Sequence, residues 1–325
     1  LPAIATALAS ALALITPACG GDPEQGIHAV LHGVVYHSGP VANTHIVAWI
    51  VSEENGALYS TRSGEATTDA DGAFTLESFA FGTLLLEATG GTSTEAATGE
   101  TINHTAVMRG VQVGLDDGED RDGCVISLAT ELALTLAEAR YAKGQTTENF
   151  TICDGTGEPC EPSAPFPETY RDAIEEAHEL IGEHFSGGSA FGFDPSTTPP
   201  IDPTNPATAG SSLGTRVRYG LALSGLSTLA ARIAAESDPE LTGLEINSVR
   251  LTQLLADDLR SADARFDGEA GDGAISIGAC PTPTDCPEGE DCQTICDFGV
   301  NTLRAGLAGG ILDFLGGATN KTGLG

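Results

Sequence analysis

The chain has 325 residues, 41% of them hydrophobic, which is enough apolar content for folded cores and enough length for two domains. Its 46 acidic residues stand against 14 basic ones, a net charge of −32 that repels nucleic-acid phosphates and anionic lipid headgroups. Nucleic acid therefore drops out as a partner, while cations, basic partners or solubility in a saline habitat remain, so acidity alone is no evidence of binding.

Residues 1–18, LPAIATALASALALITPA, form an apolar run of small residues too short for a permanent span. They read as the h-region of a secretory signal peptide. The TPAC at Thr16 to Cys19 resembles the bacterial lipobox, departing from it at Thr16, where Leu is usual, and at Pro17. That resemblance implies lipid on Cys19, a tether over 19–26 and attachment to a membrane through the lipid. Gly20 rather than Asp follows the cysteine, which in such sorting signals implies the outer membrane of a bacterial envelope.

From 27 to 114 the pattern is β. IHAVLHGVVYHSG alternates and ends at a Gly-Pro turn, HIVAWIVSE is apolar and β-branched, and GAFTLESF and GTLLLEATGG follow. Short strands at this spacing predict an antiparallel sandwich. The order GVVYHSGPVANTHIVAW, TTDADGAFTLE, FGTLLLEATGG is similar to the carboxypeptidase-regulatory-like (transthyretin- or Cna-B-like) family, which implies an Ig-like or prealbumin-like β-sandwich. Within the TDADG hairpin, Asp69 and Asp71 are expected to cap turn N–H groups and Gly72 to take a positive φ, with Phe74 returning to the core. His28, His32, His37 and His45 read as polar-face residues rather than a metal cluster, and Trp49 as core.

The acidic LDDGEDRDGC, 115–124, reads as a linker; it departs from an EF-type loop at Gly118 and at Ala129. Beyond it the period turns helical, giving an all-α bundle domain over 125–325. Helices are predicted over 127–144, 167–185, 212–237 and 246–264, with a glycine-weakened fifth over 299–317 and a Pro-rich loop over 193–210. The fold class is thus α+β and multidomain.

Every local catalytic motif fails on its own terms. HELIGEH has Gly182 where a zinc helix needs its second histidine, and His184 points elsewhere on the helix. EEAH supplies one Glu-x-x-His where a di-iron bundle needs two. GSSLG follows a proline loop rather than a strand, so Ser212 reads as a helix cap and not a nucleophile elbow.

Exported cysteines are by default disulfides, which makes candidates of Cys124, Cys153, Cys160, Cys280, Cys286, Cys292 and Cys296. Cys153 and Cys160 flank a turn-forming loop and are expected to pair. Seven is odd, so one thiol is free or the scheme crosses segments, with Cys124 reaching the Cys-rich segment 280–296. Asp263, Asp267 and Asp272, set among glycines, are the candidates for calcium, against the alternative of a charged surface loop.

The expected function is non-enzymatic: an envelope lipoprotein that binds or scaffolds an envelope or extracellular protein or glycan. An envelope hydrolase with dispersed catalytic residues and a calcium-responsive adhesin are the alternatives.

Overall fold

The structure, a computed structural model, describes residues 26–144, 167–186, 192–236, 246–260 and 300–324. Among these, an antiparallel-rich β region is followed by five helices. The strands are β1 (Ala29–Tyr36), β2 (His45–Val51), β3 (Leu58–Thr67), β4 (Ala73–Ser78), β5 (Gly82–Thr89), β6 (Thr92–Thr94), β7 (Thr101–Asn103), β8 (Met108–Leu115) and β9 (Glu119–Ser127). They form a three-stranded sheet β4-β1-β9, a four-stranded sheet β3-β2-β5-β8 and a small β6-β7 arm. Inward residues of the two larger sheets, Leu31, Val35 and Leu76 from one and Ile46, Ala48, Leu84 and Leu86 from the other, share one core.

The TDADG segment is a corner rather than a hairpin, because β3 and β4 belong to opposite sheets. Asp69 alone caps it: its Oδ1 accepts from the N–H groups of Asp71 and Ala73, each at 2.9 Å. Asp71 contributes its N–H and leaves its carboxylate exposed. Gly72 has φ 73°, and Phe74 is buried, as the sequence leads one to expect.

The stretch 115–124 is not a linker. After a turn, residues from Glu119 onward pair with β1 in parallel, Ala29 opposite Glu119 and Tyr36 opposite Ser127. The alternation explains the error: on this solvent-facing half of β9 the side chains of Glu119, Arg121 and their neighbours are charged, and only 124–127 turn wholly apolar or buried. Helix α1 (Leu128–Gly144) starts at the next residue, where Ser127 N donates to Thr130 Oγ1 at 2.7 Å and Thr130 N to Ser127 Oγ at 3.2 Å.

Helix α1 is buried nearly all round, which is why its sequence has little amphipathic contrast. It lies on β8 and against α2 (Tyr170–Ser186), and the cover explains why β5 reads TLLLEA: Leu84 and Leu86 face the sandwich interior while Leu85 is buried outside by the helices. Helices α3 (Thr215–Glu236), α4 (Ser248–Leu259) and α5 (Val300–Gly316) complete the region. Leu132, Ile174, Leu226, Leu251 and Leu31 belong to the same buried cluster, so sheet and helices share their core instead of burying one each.

The Pro-rich loop is built, not slack. Asp194 and Asp202 side chains each accept from the N–H two residues on, at 2.8 Å, and a 3-10 turn follows at Pro206–Thr208. The loop crosses α2 so closely that a Cβ on Gly182 would lie 1.8 Å from the Phe193 carbonyl oxygen. That contact is the reason for glycine at the position where the zinc motif fails.

Candidate functional site

The β6-β7 arm leaves the sheets and reaches the helices. Ala97 N donates to Ser227 Oγ of α3 at 2.9 Å, and Ala96 packs with Val217, Leu221 and Phe314. This places Glu95, 4% exposed, at the first turn of α4, where Asn247 caps the helix by accepting from Arg250 N at 3.0 Å. Ser248 Oγ donates to Glu95 Oε2 at 2.8 Å and lies 3.2 Å from His37 Nδ1. The His37 ring meets His104 edge to face with centroids 4.8 Å apart, and His104 Nε2 lies 2.8 Å from Ser93 Oγ. The result is a buried polar chain, Glu95–Ser248–His37–His104–Ser93, joining the sandwich to α4.

Burial sets the protonation of this chain. It holds His37 well below the usual imidazole range, with His104 adding to the effect, and pushes His104 down to about 4. Glu95 is raised by burial, against the lowering effect of hydrogen bonds from Ser227 and Ser248. Both imidazoles are therefore neutral near pH 7. In a hydrolytic triad the imidazole bridges acid and hydroxyl. Here the hydroxyl bridges acid and imidazole, and Ser248 is fully buried.

Beside the chain lies a cavity of about 420 Å³ walled by His37, His104, Met108, Leu128, Arg250 and Ala256, among others. Its two carboxylates are already held. Glu131 accepts from Arg109 Nη2 at 2.8 Å, Arg109 Nε at 3.1 Å and Arg109 N at 2.8 Å, and Arg109 also meets Glu138 at 2.8 Å. Asp257 pairs with Arg260 at 2.8 Å. Arg250, half-buried on the wall, has no ion pair among the described residues.

A second cavity, about 370 Å³, is lined by Gln112, Arg121, Glu175, His178, Phe193 and Asp194. His178, of the EEAH and HELIGEH segments, does not share the exposure of Glu175 and Glu179 beside it. It is 6% exposed and held below the ordinary imidazole range by burial, with Asp194 at 3.9 Å opposing. No group of three or more His, Cys, Asp or Glu among the described residues is arranged to hold a metal ion.

No family model matches the chain, and no curated protein matches it. Among solved structures it is similar to a Pseudomonas aeruginosa protein provisionally assigned as carbohydrate-binding, at 14% identity and TM-score 0.23, over 32% of this chain and 90% of that one. It is also similar to a 9R-lipoxygenase from Cyanothece, at 15% identity and TM-score 0.21, over 31% of this chain and 16% of that one.

The sequence-predicted residues fare unevenly. His28, His32 and His45 are surface groups beside Asp117, Asp120 and Glu65, at 2.7, 3.1 and 3.5 Å. His37 departs from them and is buried. Trp49 is half-buried on the outer face of its sheet, donating to Glu87 at 2.7 Å beneath the Arg62 guanidinium. Ser212 is exposed and precedes α3 by three residues, so it caps nothing there. Cys124 is a buried free thiol whose pKa burial pushes up to about 12. Cys19, Cys153, Cys160, Cys280, Cys286, Cys292 and Cys296 lie outside the described residues, as do Asp263, Asp267 and Asp272. Glu95, His104, Ser248 and Arg250 escaped the reading because they are scattered over three segments and form no local motif.

Proposed function

We propose that this chain is a non-enzymatic binding protein of a bacterial cell envelope, lipid-anchored at Cys19, whose binding site is the 420 Å³ cavity between sandwich and α4. The observation that carries it is that cavity, of the size and mixed lining of small-ligand sites, with a wall fixed by the Glu95–Ser248–His37 contacts. The order of those contacts supports binding over hydrolysis, since the Ser248 proton is directed to Glu95 and not to an imidazole base. The envelope location rests on the lipobox resemblance. The finer reading of the β region as a prealbumin-like, carboxypeptidase-regulatory-like sandwich is supported by its seven strands in two facing sheets and the Asp69–Gly72 corner.

A ligand-observed NMR screen of small molecules tests the site, with Gln253→Trp narrowing the cavity from the half-buried face of α4. Hits lost in the variant, with its melting temperature unchanged, are expected. Hits that ignore Gln253→Trp, or no hits, would overturn the reading. Intact-mass spectrometry of the membrane-extracted protein should find lipid on Cys19; an unmodified cysteine there would remove the anchor.

A further inference from the structure

The structure points to the chemical class of ligand: we infer that the cavity beside α4 takes a small organic carboxylate with an apolar body. This rests on the cavity being a binding site, as proposed above. Arg250 stands at the third position of α4, where the helix macrodipole disfavours a cation and the Glu95 carboxylate nearby is already bonded to Ser248. It has no ion pair among the described residues, in a chain with 46 acidic residues and 14 basic ones. Glu131 and Asp257, the carboxylates in the wall, are taken up by Arg109 and Arg260, so Arg250 is the charge left over.

His37, 2% exposed, contributes its ring to the wall. Because the Ser248 proton goes to Glu95, the neutral ring donates from Nδ1 to Ser248, and its buried Nε2 is an acceptor with nothing to offer an anion. That leaves Arg250 as the group that would hold one. A ligand anion entering the cavity would gain the Arg250 guanidinium. Of the rest of the wall, Val107, Met108, Leu128, Val249 and Ala256 are apolar and Thr252 and Gln253 uncharged, which suits a hydrocarbon body and not a second charge.

The test varies charge on one body: phenylacetate, phenylacetamide and 2-phenylethylamine, titrated calorimetrically into the full chain at low ionic strength. The long-range field of a −32 chain favours the amine, so the local site and the global charge make opposite predictions. Phenylacetate should bind tightest. Arg250→Gln, which melts like the parent because its side chain is half exposed, should weaken phenylacetate about tenfold while leaving the amide unchanged. Arg250→Lys should retain part of the preference.

Amide or amine binding as tightly as the acid, or an acid affinity indifferent to Arg250→Gln, would sink the inference while leaving the cavity a binding site. If none of the three binds but the NMR screen gives hits sensitive to Gln253→Trp, the carboxylate class alone is wrong. Silence in both experiments overturns both readings.

Discussion

Acidification should loosen this protein through His104, and the size of the effect can be worked out. Its ring is 8% exposed, bonded to Ser93 and pressed on His37, and burial takes its pKa from 6.5 to about 4. A base with a depressed folded pKa binds fewer protons folded than unfolded, so stability falls as pH drops below about 6.5, and the loss is complete below about 4. The full shift corresponds to about 3 kcal/mol, of which about 2 kcal/mol is lost by pH 5. His37 and His178, also depressed by burial, act in the same direction. Glu95, raised by burial, opposes them: its contribution falls as pH climbs. The assay therefore compares urea unfolding of the parent and His104→Gln between pH 7.5 and 5, where groups not in contact with His104 cancel and His37, whose depression owes more to burial than to His104, nearly does. The parent should lose about 2 kcal/mol more than the variant over that range. Parallel loss in the two proteins would show that His104 is not the neutral buried group described.

Three further outcomes follow from packing and charge. Gly182→Ala forces a methyl against the Phe193 carbonyl and should cost about 2–3 kcal/mol in chemical denaturation, whereas the same change at exposed Gly316 should cost nothing measurable. Arg109→Met leaves the buried Glu131 of α1 with the more distant Arg260, at 3.7 Å, and should cost about 2–3 kcal/mol; the double variant Arg109→Met/Glu131→Leu should recover most of it, and additive losses would contradict a coupled pair. In native protein Cys124 should resist iodoacetamide at pH 8, as a thiol pushed up to about 12 and fully buried, and react once urea is added; peptide mapping that finds it alkylated in the native state would refute this.

The helices were legible because a period of 3.6 survives in any segment with one wet face, as in α2, where Ala173, Ile174, Ala177 and Ile181 are buried and Glu175 and Glu179 exposed. Strands with one buried face were legible for the same reason. What misled was charge on a paired strand: Glu119 and Arg121 look like linker residues, yet their backbones hold the β1 edge. The polar cluster was harder still. His37 follows an apolar strand, Glu95 lies within the threonine-rich arm and His104 just after it, and Ser248 opens a helix some 150 residues later, as the Glu95–Ser248 contact spans 153 positions. No periodicity or spacing encodes a meeting that only the tertiary fold creates, and a buried histidine has the same local signature as an exposed one.

The parallel pairing of β1 with β9 has a consequence for how the protein is made and cut. The first strand of the three-stranded sheet waits for a partner that begins at Glu119, and until then one side of β1 is an open template for strand addition. A nascent chain cannot close its sandwich before residue 127 has left the ribosome, and α1 begins at once from that residue. A protease cut or a shortened gene ending near 114 would thus release a sheet with a bare edge, prone to pair with copies of itself, while a break after α1 would leave that edge filled.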